Sequence, residues 1–266
     1  MADGAGPRFW YGQLIDYLPL ALAALMAGMI DAIVGGGGLI QIPALFSTFP
    51  GVAPATLLGT SKLGGVWGTA AAAVNLARRV KVTWTTAVPA ALAAFVFSFL
   101  GAVTVTHVPP DALRRALPFI LAAVAAYTFM RKDFGSVHAP AHIGTREMGF
   151  AAIAGGAIGF YDGFFGPGTG SFLVFVFVRY FGFDFLGASA VAKIVNVACN
   201  VAALLWFGYS GHLLWKVGAI LAVCNVAGSL IGTRLAIRHG SRFVRKAFLV
   251  VVCALILKTT YDAFLR

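Results

Sequence analysis

The chain has 266 residues, of which 60% are hydrophobic and only 11% are charged. A soluble domain usually carries about 25% charged residues, and the mean hydropathy here is +0.88. This composition excludes an ordinary soluble domain and predicts an all-α protein that crosses the lipid bilayer several times. A β-barrel is disfavoured because the apolar runs are continuous and do not alternate.

The net charge of +11 comes mainly from Lys and Arg in short segments between apolar runs. Positive charge in such loops sets membrane topology, so we expect no nucleic-acid partner. The N-terminus lacks a basic region, and we therefore expect the first apolar run to be a retained helix and not a signal peptide. Cys199, Cys224 and Cys253 lie in apolar segments without CxxC spacing, which is typical of core residues.

Apolar segments of membrane-spanning length recur along the chain. Two shorter apolar pieces follow clusters of glycine, at about 39–50 and 170–181. The hydrophilic stretch 131–147 predicts a loop that joins two halves, 14–130 and 148–266. The eight long segments, each a predicted transmembrane helix, are 14–34, 55–77, 84–106, 112–130, 148–165, 186–208, 213–237 and 243–264.

The two halves match each other under an ungapped shift of 131 residues, the separation of Asp31 and Asp162. Aspartate, lysine and tryptophan are scarce in this composition, so their joint coincidence predicts an internal duplication, a common plan of secondary transporters. The coinciding pairs are Gly28 and Gly159, Asp31 and Asp162, Gly35 and Gly166, Gly37 and Gly168, Lys62 and Lys193, Trp84 and Trp215, Ser98 and Ser229, Gly101 and Gly232, and Arg114 and Arg245.

The basic loops exchange places between the halves. The loop 78–81 reads RRVK, whereas its counterpart 209–212 reads YSGH; conversely, the loop around 106–115 is poorer in Arg and Lys than its counterpart 234–246. If basic loops face the cytoplasm, the two repeats are inverted and each crosses the membrane an odd number of times. If the short apolar piece after each glycine cluster also crosses, each repeat crosses the membrane five times and both termini lie outside the cell.

Asp31 and Asp162 place a carboxyl group inside an apolar segment, where a charge costs about 2.5–3.5 kcal/mol on insertion scales. Two interpretations remain open: a structural ion pair or neutral acid, and a proton or counter-charge role along a permeation path. Lys62 and Lys193 lie in the first third of a long helix, either reaching back to the interface or facing the pathway.

The lysine of the second half belongs to a polar stripe. Lys193, Asn196 and Asn200 follow the spacing of one helix face, and the corresponding first-half positions are Lys62, Gly65 and Thr69. This pattern favours a water-accessible pathway. Ser98, Asn225 and Ser229 either extend that lining or serve as hydrogen-bonding contacts between helices.

The glycine clusters, VGGGGLI and FFGPGTGSF, predict a break in each membrane segment. A short helix that starts after the break points its N-terminal N–H groups toward the gap, which favours an anion. The alternative is close helix packing by small residues. With the lysine helices, the candidate substrate-binding residues are Gly35, Gly36, Gly37, Gly38, Lys62, Gly166, Gly168, Thr169, Gly170, Ser171, Lys193, Asn196 and Asn200.

No enzyme motif is present in the sequence. No lysine follows the last glycine of GPGTGS, as a phosphate-binding loop requires, and GxSxG and HExxH are absent. We therefore expect no enzymatic activity, no cofactor and no metal site.

The segments MIDAIVGGGGLIQIPAL and GFYDGFFGPGTGSF, each followed by a lysine-bearing helix (GTSKLGG and AVAKIVN), resemble the TauE/SafE sulfite-exporter family, also called TSUP. The resemblance covers about residues 14–264. It implies an integral membrane protein of two related halves, implicated in moving sulfite, other sulfur oxyanions or organosulfonates. It further implies that the glycine segments and the lysine helices form the substrate region. The chain departs from the family at Gly64 and Gly65, where bulkier polar residues are often found.

The residues and the resemblance together predict a secondary transporter of a small anion in the bacterial cytoplasmic (inner) membrane, working by alternating access. Its partners would be the anion, the lipid bilayer and a coupling proton or sodium ion. A passive anion channel and a non-transporting membrane scaffold are the alternatives. The exact substrate, the direction of transport and the oligomeric state are left open by the sequence.

Overall fold

The computed structural model describes the backbone of residues 7–113, 115–116, 119, 123 and 145–264, and side chains within 17–113, 115–116, 119, 123, 146–240 and 246. The described residues contain helices and no strand, which agrees with the predicted all-α class. The helices are α1 (Pro7–Val34), α2 (Gly38–Thr48), α3 (Pro54–Ala77), α4 (Trp84–Thr106), α5 (Thr145–Phe164), α6 (Thr169–Arg179), α7 (Phe185–Tyr209) and α8 (Trp215–Phe264).

Four helical stretches of the described residues are long and apolar enough to cross a membrane: Tyr17–Val34, Trp84–Thr106, Phe185–Tyr209 and Trp215–Gly240. Helices α3 and α5 follow the predicted segments 55–77 and 148–165 but are not among these four. The predicted segment 112–130 and the loop 131–147 lie mostly outside the described residues. Segment 243–264 is the last part of α8, after a non-helical Gly240 (φ 69°, ψ −168°). The count of eight membrane helices therefore stays a prediction.

Each short helix folds back along the long helix before it. A Cβ atom on Gly37 would lie 2.6 Å from the carbonyl oxygen of Ala27, and the rings of Tyr17 and Phe49 lie 6.5 Å apart. Helix α2 is therefore antiparallel to α1, and its end returns to the level at which the apolar part of α1 begins. Helices α5 and α6 form a second hairpin, because residues 150 and 153 share a cavity wall with residues 180 and 181.

The count of five crossings per repeat stays a prediction. The chain reverses direction at each glycine break, as it would between two successive crossings and also in a hairpin that enters and returns on one side of the membrane. Helices α2 and α6 have 11 residues each, which is short for a crossing. Either arrangement gives each half an odd number of crossings if segments 112–130 and 243–264 both span.

The two halves pack crosswise. Helix α1 packs on α8 and α4 packs on α5, while α3 and α7 contact each other and the helices α8 and α4. Small residues bring the backbones together: a Cβ on Gly159 would lie 2.6 Å from Cα of Ala94, and one on Gly28 would lie 2.9 Å from Cα of Asn225. Ser98 Oγ donates to the Cys199 carbonyl at 2.8 Å, and Ser229 Oγ donates to the Gly68 carbonyl at 2.5 Å.

These contacts fix the helix directions. Along α3 and α8, Gly59 faces His212, Gly64 faces Leu221 and Gly68 faces Asn225, so the two helices are parallel. Contacts of the same kind make α1 parallel to α8, and make α5 and α7 parallel to α4. Helices α3 and α7 are antiparallel, because Gly59 contacts Phe207 whereas Thr69 and Lys193 meet at Asp31.

The outer faces of the long helices carry large exposed apolar side chains. Leu92 is 66% exposed, Ile153 is 70% exposed and Val223 is 72% exposed. A soluble monomer does not expose contiguous apolar faces of this kind, whereas contact with lipid requires them. The interior between the halves is built largely from alanine, glycine and a few polar side chains, and those polar side chains form the candidate site.

Candidate functional site

The two helix breaks meet at the centre of the molecule. Gly35 and Gly166 have positive φ angles of 84° and 92°, which favour glycine because an L side chain is strained there. The breaks touch each other: Ser171 donates its backbone N–H to the Gly35 carbonyl at 3.2 Å and its hydroxyl to the Val34 carbonyl at 3.1 Å. The glycines of both breaks are therefore explained by one feature, the close contact between the two backbones.

Replacing Gly35 by alanine is expected to destabilise this contact. The added Cβ would lie 2.5 Å from Cα of Gly170, at a φ angle of +84°, so both the clash and the strain raise the energy of the folded state. We expect the free energy of unfolding to fall by more than about 2 kcal/mol. Thermal unfolding in detergent measures this. Gly149→Ala on α5 is the control, since nothing lies within 4 Å of its Cβ; an equal loss in both variants would contradict the expectation.

Two ion pairs connect the halves beside the breaks. Lys193 Nζ lies 2.9 Å from Asp31 Oδ2, and Lys62 Nζ pairs with Asp162 Oδ2. The lysine of each half thus bonds the aspartate of the other half. Thr69 Oγ1 also donates to Asp31 Oδ2, at 3.1 Å. These contacts agree with the structural interpretation of the aspartates as ion-pair partners, and they leave a second role open.

Burial makes the two partners of each ion pair depend on each other. The exposed fractions of the side chains are 9% for Lys62, 2% for Asp162, 1% for Lys193 and 13% for Asp31. A buried charge that loses its partner is costly, whereas a paired and hydrogen-bonded charge is tolerated. The four charges sum to zero, so the site is neutral when both lysines are protonated and both aspartates ionised.

A polar cavity lies against these pairs. The space open to the centres of water-sized molecules is about 60 Å³, and one water needs about 10–15 Å³ on this measure. The cavity therefore holds roughly four waters or one small anion. Asn200 Nδ2 lies 3.4 Å from Asn196 Oδ1 at its wall.

Most of the predicted site residues reach this cavity. Those in its wall are Asp31, Gly35, Gly37, Gly38, Lys62, Asp162, Gly166, Gly170, Asn196 and Asn200. Lys193 does not line it, because its ammonium group is buried against Asp31. Gly36, Gly168, Thr169 and Ser171 also lie outside the wall.

The hydroxyl groups of Thr169 and Ser171, two of the predicted substrate-binding residues, bond to the backbone of the breaks. Thr169 Oγ1 donates to the Gly166 carbonyl at 2.9 Å, and Ser171 Oγ donates to the Val34 carbonyl. Neither residue lines the cavity, so their part in substrate binding stays a prediction. The Ser171 bond satisfies a carbonyl at the end of α1 that has no partner within that helix.

Three cavity residues were missed or only weakly assigned from the sequence. Asn225 Nδ2 donates to Gln41 Oε1 at 2.6 Å, and Gln41 Nε2 donates to the Ser61 carbonyl at 3.0 Å. The comparison of the halves does not point to Gln41 and Ser61, because it pairs them with Phe172 and Ala192. The sequence signal for Gln41 is that it is the one amide side chain in the largely apolar helix α2.

This difference between the halves makes the site asymmetric. Gln41, Ser61 and Asn225 give the cavity polar walls on one side. The positions 131 residues away are Phe172, Ala192 and Ala94, which are apolar, and the two alanines are buried. The cavity therefore has polar walls on the side of Lys62, whereas the corresponding positions of the other half are apolar.

Among the described residues, no group of three or more His, Cys, Asp and Glu side chains is placed to hold a metal ion. The chemistry of the site is that of buried ammonium, carboxylate, amide and backbone groups.

Comparison with known proteins decides the family. The family described as sulfite exporter TauE/SafE matches residues 20–259. The chain belongs to the TauE/SafE sulfite exporter family. The resemblance stated from the sequence is thus confirmed, and the match covers both glycine breaks and both lysine helices.

Relatives of this TauE/SafE chain are named as membrane transporters. The "probable membrane transporter protein ORF9" of Sinorhizobium sp. is 39% identical over 243 residues, 91% of this chain and 92% of that protein. The "probable membrane transporter protein YfcA" of Escherichia coli K12 is 36% identical over 244 residues, 92% of this chain and 89% of that protein. A Haemophilus influenzae protein named in the same way is 32% identical over 249 residues, 93% of this chain and 96% of that protein. No solved structure matches the chain.

Proposed function

We propose that this TauE/SafE protein is a secondary transporter that moves a small anion across the bacterial cytoplasmic membrane by alternating access. The anion we propose is a sulfur oxyanion of the sulfite type or an organosulfonate. The observation that carries the proposal is the polar cavity at the meeting of the two helix breaks, with the ammonium group of Lys62 in its wall.

The chemistry of the cavity supports an anion. The N-terminal ends of α2 and α6 border it through Gly38 and Gly170, and helix N-termini favour negative charge. The amide groups of Asn196 and Asn200 lie in the same wall and offer further donors. Room for roughly four waters suits a small oxyanion and excludes a bulky organic solute without movement of the walls.

The helix directions support two inverted repeats, which we assign to 14–130 and 148–266 with the connection 131–147 between them. Helices α1 and α3 run parallel to α8, whereas α4 runs parallel to α5 and α7, so each helix runs opposite to its partner 131 residues away. Helices α2 and α6 begin and end at positions separated by the same shift. Inverted repeats that meet at a midplane site are a frequent basis of alternating access.

The hairpins support a place for the site within the bilayer. Each apolar hairpin enters, breaks at its glycines and returns, and such irregular backbone is tolerated at membrane depth only where protein or water satisfies it. Here the opposite hairpin and the cavity do so. We therefore propose that α1–α2 and α5–α6 are re-entrant hairpins from opposite faces of the membrane.

Transport in proteoliposomes tests the proposal. Purified protein should carry radiolabelled sulfite, thiosulfate, sulfate or a small sulfonate faster than empty vesicles, with saturation. Lys62→Ala should lower the rate at least about 100-fold, because a charge-assisted bond to the anion is lost. Lys216→Ala, an exposed lysine at the start of α8, is the control and should transport normally.

The alternatives give different results in the same vesicles. A passive channel would show a flux that does not saturate with anion concentration, together with single-channel currents. A scaffold would show no flux for any of the anions. Normal flux in Lys62→Ala would reject the assigned site even if the wild-type protein transports. Inward and outward gradients, each imposed in turn, measure the direction that the protein supports.

A further inference from the structure

We propose that this site carries its anion in electroneutral form: a singly charged anion binds Lys62 while Asp162 binds a proton, and both cross together. The inference rests on the proposed function and adds to it the coupling ion and the charge of the substrate. Its basis is the charge balance of the buried site.

The empty site has no spare positive charge. Among the described residues, the charged side chains at the cavity and behind it are Lys62, Asp162, Lys193 and Asp31, and they form two complete pairs. An added anion would leave a net negative charge in a buried, water-poor space, which is strongly unfavourable. One proton bound together with one monoanion restores neutrality.

Asp162 is the carboxylate that we assign as the proton-binding group. Its carboxylate pairs with Lys62, the one lysine in the cavity wall among the described residues, and its side chain is only 2% exposed. An anion that takes the Lys62 ammonium would leave Asp162 buried without that partner. Asp31 has Lys193 and Thr69 as donors. Neither donor is the lysine that would bind the anion, so anion binding does not remove a partner from Asp31.

The ionisable surroundings of Asp162 are few. Helix α4 has no ionisable side chain, and that of α6 is Arg179 at its far end. The ionisable groups that face Asp162, or lie beside it or across the site from it, are Lys62 on α3, Cys199 and Lys193 on α7, Asp31 on α1, and Tyr161 on its own helix. The Lys62 ammonium group is the cation in direct contact with Asp162, so an anion that engages this group removes the contact that balances the carboxylate.

The transport step is balanced in charge and protons. A monoanion and a proton enter from the same aqueous phase, the anion accepts from Lys62 Nζ, and the proton binds the Asp162 carboxylate. Both are released on the opposite side, and the Lys62–Asp162 pair forms again. A dianion would need a second proton, for which this site offers no freed carboxylate, so hydrogen sulfite or a sulfonate fits better than sulfate.

Coupled flux in proteoliposomes tests the inference. A pH-sensitive dye trapped in the vesicles should report acidification of the interior during anion uptake, in a ratio of one proton per anion. Setting the membrane potential with potassium and valinomycin should change the accumulation of the anion less than twofold. Movement of one uncompensated charge would change it about 50-fold per 100 mV.

Two buried acids on α5 provide the matched variants. Asp162→Asn should lose both the accumulation of the anion driven by a pH gradient and the movement of one proton with each anion. Glu147→Gln is the control, because Glu147 is 7% exposed and accepts a bond from Thr86 outside the site; it should retain both activities.

The outcomes separate the two claims. Wild-type flux without proton movement, or with the full dependence on potential, overturns this inference and leaves the transporter proposal intact. Absence of flux for every anion overturns the proposed function and the inference with it. If Asp162→Asn cannot be purified, the proton ratio and the potential dependence of the wild-type protein decide alone.

Discussion

Lys193→Ala is expected to lower the free energy of unfolding by about 3–5 kcal/mol, the usual cost of removing one partner from a buried ion pair. The side chain of Lys193 is 1% exposed, and its Nζ atom lies 2.9 Å from Asp31 Oδ2. Its removal leaves the Asp31 carboxylate beside Thr69 with no cation in contact, and also leaves a space where the lysine stem was. Unfolding in detergent, followed by circular dichroism or a thiol-reactive dye, measures the loss.

The crosswise pairing makes this prediction specific. Adding Asp31→Ala to Lys193→Ala removes the stranded charge, so the double variant should recover at least about 2 kcal/mol relative to simple addition of the two costs. Adding Asp162→Ala to Lys193→Ala should recover less than adding Asp31→Ala, because Asp162 belongs to the other pair and its removal leaves Lys62 without its partner. Equal coupling energies in both double variants would contradict the pairing.

Local structure around the glycine breaks was predictable from the sequence. The predicted short segments 39–50 and 170–181 correspond to α2 (Gly38–Thr48) and α6 (Thr169–Arg179), because consecutive glycines interrupt a helix and the apolar run that follows restores it. Asp31 and Lys62 were predictable for a similar reason, because charges are scarce in an apolar chain and are costly to place in a membrane.

The contacts between residues of different halves could not be predicted from the sequence. The sequence shows one lysine and one aspartate in each half, but only packing shows that Lys193 pairs with Asp31 and that Lys62 pairs with Asp162. The direction of α2 depended likewise on a reversal at the break, which the contact between Gly37 and Ala27 reveals. Gln41 has no polar counterpart in the other half, where Phe172 stands, so the symmetry of the halves predicts neither Gln41 nor the difference between the two sides of the cavity.

The asymmetry between Ser61 and Ala192 offers a direct view of access to the site. These positions are separated by the repeat shift and precede Lys62 and Lys193 directly. Ser61 lines the cavity, whereas Ala192 is 1% exposed and does not line it. In alternating access between inverted repeats, each position should meet water in one state only, and from opposite sides of the membrane.

The most direct test of this account is sided labelling of Ser61→Cys and Ala192→Cys with a membrane-impermeant thiol reagent, with native-chain labelling as the baseline. Without substrate, Ser61→Cys should react from one side at least about 10-fold faster than Ala192→Cys, and a transported anion should protect it. Under an anion gradient, Ala192→Cys should become reactive from the other side. Reaction of both cysteines from the same side, unaffected by any anion, would contradict alternating access at the lysine–aspartate site.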